Sequence, residues 1–339
     1  MHPALLGLVT IIMGVGGCVG YFWLSNIVLD NFIYPPRGPN AGRNINRANI
    51  VRPWLFLFPA LFALSVYLAY PVVETIRLSL TERVTQSDGS TTYDFVGFAN
   101  YAQMMAEDKF WEALGNNMMW LIVVPALSTA FGLLAAQLTD RIGWGSIAKS
   151  LIFMPMAISF VGAAVIWKLV YDARPPGTEQ IGILNAIYVW FSGNEPQQWL
   201  TVPFWNSFML MIVLVWIQTG FAMVILSAAL RGIPEETVEA AIVDGANPFQ
   251  IFFKIKIPQI MGTIVVVWTT ITIVVLKVFD IVFAMTNGQW ETQVLANYMY
   301  DKLFRANDWG VGSAAAMVIM LLVTPILVWN VYNARKEMK

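Results

Sequence analysis

Seven stretches of the chain, 3–29, 54–73, 114–138, 151–167, 202–230, 257–276 and 310–334, carry no charged side chain and few polar ones. Each is about 17 residues or longer, enough for an α-helix to cross a hydrocarbon core of about 30 Å. An open strand in that setting leaves backbone groups without water or partner, so each run is predicted to be a helix. The chain is 58% apolar and 12% charged, against about 45–50% and 25% in soluble domains, which excludes a water-soluble single domain. Internal Pro59, Pro125, Pro155 and Pro325 are expected to kink helices rather than end spans.

The first run is too long for the apolar core of a secretory signal and lacks a basic leader, so it is predicted to be a retained span. Its Gly16 and Gly20 form a GxxxG to which no role is assigned. A single cysteine, Cys18, and a single histidine, His2, exclude a disulfide framework and a Cys/His zinc site, so no metal site is expected. The 20 basic and 21 acidic residues nearly cancel, which suggests no nucleic-acid partner.

Orientation follows from the basic residues of the connections, which accumulate on the cytoplasmic side. One set holds twelve: Arg37, Arg43, Arg47, Arg52, Arg141, Lys149, Arg231, Lys254, Lys256, Arg335, Lys336 and Lys339. The other holds five, Arg83, Lys109, Arg174, Lys302 and Arg305, among twelve acids. The amino terminus is therefore expected outside and the carboxyl terminus inside, a parity seven spans satisfy. The outer stretches carry Trp111, Trp190, Trp199, Trp290 and Trp309, read as a headgroup belt or a docking surface for a partner.

The connection between the fifth and sixth spans reads as two short helices. Pro234 suits a first helical position, and Glu235 and Glu236 favour the positive end of the dipole. Gly245, after Asp244, suits the left-handed residue that ends a helix; Pro248 starts the next helix and Pro258 marks its exit. The first helix is expected to expose Ala240 and Ala241 beside Val238 and Ile242, so that another protein's backbone can approach. A helix lying in the headgroups is the alternative, and its acidic face lacks the Lys and Arg that role needs.

Glu239-Ala240-Ala241, then Gly245, Ile255 and Pro258, resemble the EAA loop of binding-protein-dependent ABC importer permeases. The run Leu276–Gly288, the stretch Tyr298-Met299-Tyr300 and the run Gly310–Ala314 are similar to the carbohydrate-uptake branch, of the maltose and α-glucoside type. The likeness covers about residues 50–335. It departs where Asn287-Gly288-Gln289-Trp290 replaces the usual Gly-Gly-Pro, and no large domain is inserted between spans. The resemblance implies an all-α membrane protein: an extra helix at 1–29, a basic connection at 30–53, and a six-helix permease domain at 54–335 with a coupling loop at 234–257.

It further implies a second, homologous permease, a cytoplasmic ATPase dimer that binds ATP and magnesium, and an extracytoplasmic sugar-binding protein. No Gly-Lys dipeptide occurs, so the chain lacks a P-loop and is not expected to be an enzyme or to bind a cofactor. Coupling to the ATPase would fall to Glu239, Ala240, Ala241, Asp244, Gly245, Ile255 and Pro258, with Glu239 meeting a basic partner group. The sugar path would involve Ile217, Gln218 and Phe221 before the loop and Ile271, Val274, Val275 and Val278 after it. The last four share one helical face, and ordinary packing is the competing reading.

Lys277 and Asp280 lie three apart, so on a helix they share a face as a structural pair or outer gate; Lys168 is expected to snorkel at a span end. An ion-coupled secondary transporter would use Lys277 and Asp280 for coupling, but no matching broken-helix halves accompany them. An intramembrane enzyme would need paired acids or a metal site, and no such spacing is present. The predicted activity is import of an oligosaccharide or α-glucoside by alternating access, with a polyol or other solute as the alternative cargo.

Overall fold

The computed structural model describes residues 3–85, 90–140 and 142–337, so His2, Arg141 and Lys339 lie outside the described residues. The chain divides into two compact units, Met1–Glu74 and Thr75–Lys339.

In the first unit α1 (Pro3–Val28) continues through a π-helical turn to Ile33. The next helix, α2, spans Ala41–Ser79. It starts at Ala41, so much of the 30–53 connection is helical and Arg43, Arg47 and Arg52 lie on it. Pro53 and Pro59 sit inside α2, and a π-helical turn at Ser65–Ala69 follows them. The two helices are joined by the Asp30 carboxylate, which accepts from Arg52 at 2.8 and 2.9 Å, and by the Tyr21 hydroxyl donating to the Leu55 carbonyl at 3.0 Å. Phe22 stacks on Phe56 beside them. Side chains added at Gly16 and Gly20 would meet open space.

The second unit opens with a feature outside the all-α expectation, an antiparallel hairpin of β1 (Thr81–Thr85) and β2 (Thr91–Phe95), Thr81 opposite Phe95. Helices α3 (Ala99–Met105), α4 (Asp108–Thr139), α5 (Gly145–Phe153), α6 (Phe160–Val170), α7 (Ile183–Ser192) and α8 (Trp205–Arg231) follow. Then come α9 (Glu235–Val243), α10 (Pro248–Gln259), α11 (Met261–Leu276), α12 (Asp280–Met285), α13 (Leu295–Tyr300) and α14 (Trp309–Glu337).

The core lies between α4 and α8, with α11 against both. Lipid tails supply no hydrophobic drive to pair helices, so close contact depends on small residues. Gly132 of α4 meets Ala222 of α8, and Gly220 of α8 lies against the backbone of Ile152 and Phe153.

Two spans predicted as single helices are bent. The 151–167 run is divided between α5, a 3-10 turn and α6, which meet at 106°. Pro155 lies in that turn, Ile158 and Ser159 are extended, and the Ser159 hydroxyl caps α6 by accepting from the Gly162 N–H at 3.0 Å. Proline therefore ends this helix, whereas Pro125 and Pro325 are carried within α4 and α14. The 257–276 run is likewise bent, by 71° between α10 and α11, two residues after Pro258. Among the described residues, five helices are long and apolar enough to cross a membrane, or up to seven if each bent pair is one span.

Candidate functional site

The loop after α8 folds as a helix, turn and helix. Pro234 is the residue before α9 rather than within it, with extended ψ of 129°, and Glu235 and Glu236 occupy the first turn. At the other end Gly245 has φ of +80°. Its N–H donates to the Ile242 carbonyl at 3.0 Å, and the Ala246 N–H donates to the Ala241 carbonyl at 2.9 Å. This pair of bonds is a Schellman termination, which needs a left-handed residue at that position. Asn247 then starts α10 with a reciprocal capping box: its side chain accepts from the Gln250 N–H and the Gln250 side chain accepts from its own, both at 2.9 Å. Pro248 takes the first helical position, as expected.

Ala240 is exposed but Ala241 is buried, so only one of the two alanines faces outward. The expected exposure of Ala241 fails because α9 lies with that side against its own chain. The surface instead presents Ile242, Val243 at 86% exposure and Phe249 at 77%. Glu239 is exposed and borders a hollow of about 420 Å³ with Arg231, Glu235, Lys256, Gln137 and Asp140. Ile255 is half-buried and Pro258 exposed.

Beneath the loop, three helix ends are tied together. Asp140, after α4, pairs with Lys149 of α5, and both meet the Ser227 hydroxyl of α8. Ser227 donates to Asp140 at 3.0 Å and accepts from Lys149 at 2.8 Å. Lys256 of α10 donates to Gln137 of α4 at 3.4 Å. The second helix of the loop is thus bonded to α4, whose end is tied to α5 and α8.

The residues expected along the path divide. Ile217, Ile271, Val275 and Val278 are buried in the packing among α8, α11 and the segment after it. Phe221 and Val274 are half-buried at the edge of this core. Gln218 is buried, and its amide makes no hydrogen bond among the described residues. Val274 and Val278 share a cavity of about 150 Å³ with Lys277 and Asp280. Lys277 follows the end of α11 and Asp280 opens α12, so they do not occupy one helix, and no ion pair joins them among the described residues. The i, i+3 spacing misled because the helix breaks between them. A larger apolar cavity, about 660 Å³, lies under the α5/α6 bend against Phe208, Trp216 and Thr219 of α8, and none of the expected path residues lines it.

Residues 128–338 match the family described as binding-protein-dependent transport system inner membrane component. The α-glucoside transport system permease protein AglF of Rhizobium meliloti is 61% identical, over 99% of each chain. The chain belongs to this family. An osmoprotective compounds uptake permease protein, GgtC of Synechocystis sp., is 46% identical over 84% of this chain and 99% of its own. In fold, the permease is similar to a chain from a bacterial ABC transporter involved in alginate import, with a TM-score of 0.71 and 20% identity, covering 88% of this chain and 99% of that one. It is a multi-pass inner-membrane permease subunit of a binding-protein-dependent transport system, not an enzyme.

Sequence reasoning located the loop of this permease but missed the Asp140–Lys149–Ser227 junction. Its members are 9 and 78 residues apart, and no local motif links them. The exposed Val243 and Phe249 were also missed; a pair of large apolar residues flanking a helix-ending glycine is the signal that marks them.

Proposed function

We propose that the permease carries an α-glucoside or small oligosaccharide inward by alternating access, and that its 234–257 loop receives the stroke of a cytoplasmic ATPase dimer. The observation that carries the coupling assignment is the exposed tip of Ile242, Val243 and Phe249. It stands on a helix pair capped at both sides of Gly245 and joined to α4 through Lys256 and Gln137. A socket closing on this tip moves the ends of α4 and α8 with it. Glu239, Ala240, Asp244 and Gly245 shape or face that contact; Ala241 and Ile255 hold the loop to the chain, and Pro258 stands just before the bend that ends it. In this reading the loop is cytoplasmic, the amino terminus lies outside, residues 1–29 are an extra span, and ATP and magnesium are bound by the partner ATPase.

The sugar passes between this chain and a second, homologous permease. Gln218, with Phe221 one helical turn away, supplies an amide and a ring on α8. The identity to an α-glucoside permease supports the cargo. The likeness to an osmoprotectant permease supports a second cargo, a compatible solute.

The test is uptake into proteoliposomes holding the complete complex, with its binding protein and labelled α-glucosides and polyols. Uptake that requires both ATP and the binding protein, and is lost in Glu239→Lys with Gly245→Asp, is the expected result. Uptake driven by an ion gradient without ATP overturns it.

A further inference from the structure

At the end of the second unit opposite the coupling loop, a pocket of about 490 Å³ opens between the end of α6, the segment before α8 and the segment after α12. Ligand sites for small molecules span about 300–1,000 Å³. Its walls carry three aromatic rings, Tyr171, Trp199 and Trp290, with Lys168, Asp172 and Thr201 between them. Trp290 is 46% exposed and Lys168 is exposed.

The rings are held from behind. Tyr171 donates its hydroxyl to the Met209 carbonyl at 2.9 Å, and Trp199 donates its indole N–H to Asn185 at 3.1 Å and packs edge-on to Tyr188. Trp290 and Glu291 have φ of +54° and +63°, which residues with side chains rarely adopt. Neighbouring helices hold them there: Asn206 of α8 donates to the Trp290 carbonyl at 2.5 Å, and Asn116 of α4 donates to the carbonyls of Glu291 and Gln293, both at 2.9 Å. Strain of this kind persists only where the surroundings over-determine it, and it places an indole at the mouth of the pocket.

We infer that this pocket is an accessory sugar subsite, taking one glucosyl ring of a neutral α-glucoside before it moves deeper between the permeases. A pyranose has faces of polarised C–H groups and a rim of hydroxyls. The negative face of an indole or phenol ring matches the first, while the ammonium of Lys168, the carboxylate of Asp172 and the hydroxyl of Thr201 match the second. The subsite rests on the transport reading above, which turns this end toward the binding protein.

The experiment compares wild type, Trp290→Gly, Trp290→Phe and Lys168→Met in the complete reconstituted complex. It reads labelled maltose, sucrose and trehalose taken up per ATP hydrolysed across a range of loaded binding protein. Gly removes the ring and suits the positive φ, so the loop keeps its path. The expected result is a fall of about tenfold in sugar moved per ATP for Trp290→Gly, the size of one lost aromatic contact. Trp290→Phe recovers most of it, and Lys168→Met falls several-fold.

Unchanged sugar per ATP in Trp290→Gly overturns the subsite. So does a weaker dependence on binding protein with sugar per ATP intact, which makes this face a docking surface. A loss of assembled complex in both Trp290 variants, with sugar per ATP intact, makes Trp290 a headgroup anchor and also overturns it. If the wild-type complex takes up none of the three sugars, the transport reading fails and the subsite with it. Wild-type uptake with an unaltered Trp290→Gly overturns the subsite alone.

Discussion

Gly132 of α4 and Ala222 of α8 leave no room for a side chain between them. A Cβ built on Gly132 would lie 2.4 Å from the Cβ of Ala222 and 2.9 Å from the backbone nitrogen of Met223. Backbone cannot yield as a flexible side chain does, so Gly132→Val must push the two helices apart. Overpacking of this kind costs about 1–3 kcal/mol. The variant is expected to lower the thermal midpoint of the purified complex, followed by size-exclusion recovery, with Gly132→Ala affected less.

Gly245 is constrained differently, since nothing lies within 4 Å of a Cβ placed on it and only its φ of +80° resists substitution. Gly245→Asn is expected to retain coupling and Gly245→Val to lose most of it, with a cost of about 1–2 kcal/mol for the left-handed conformation. The measurement is ATP hydrolysis stimulated by loaded binding protein. Equal activity in the two variants refutes a role for the turn.

Val243 projects from the loop after α8 at 86% exposure. Replacing it with Asp leaves the chain's own packing intact and puts a charge on the surface proposed to enter the ATPase. Val243→Asp is expected to assemble with the second permease but to retain the ATPase at least about tenfold less tightly, as for a central contact residue. Pull-down of both subunits through this chain reads the outcome.

Asp140 and Lys149 each have about a fifth of their side chains exposed, 19% and 21%, so the pair is partly shielded from solvent. Removing one partner strands the other charge, and removing both relieves it. A double-mutant cycle of Asp140→Asn and Lys149→Met is therefore expected to give a coupling of about 1–2 kcal/mol, measured by denaturant unfolding of the complex. Ser227→Ala should cost about 1 kcal/mol through its lost hydrogen bonds.

Tyr298, outside the spans, donates to Glu107 at 2.8 Å, and Glu107 also receives Lys302. Burial, then the hydrogen bond to Glu107, raise the tyrosine pKa above its ordinary value. A group whose folded pKa is raised binds more protons folded than unfolded, so its stabilisation is complete below the unfolded pKa of about 10 and is lost as pH rises beyond it. Tyr298→Phe is expected to destabilise the protein by about 1 kcal/mol at neutral pH and to flatten the alkaline decline. A decline of the same slope in Tyr298→Phe refutes the assignment.

The sequence by itself determined the membrane-spanning character, the helical class and the place of the helix, turn and helix after α8. Apolar length, Pro248 and Gly245 act over a few residues and need no distant partner: the expected positive φ and the helix start both occur where the local grammar puts them. Only the tertiary structure decided that Ala241 turns inward while Val243 turns out, because a helix with apolar residues on several sides buries whichever one its neighbours cover. It also decided the 106° bend, where a proline that α4 and α14 would have absorbed stands beside a serine able to cap a new helix. The break between Lys277 and Asp280, the junction of Asp140 with Lys149 and Ser227, and the pocket around Trp290 belong to the same class. The junction and the pocket depend on groups brought together from distant parts of the chain and on strain that neighbouring helices hold in place, and neither leaves a period or a spacing in the sequence.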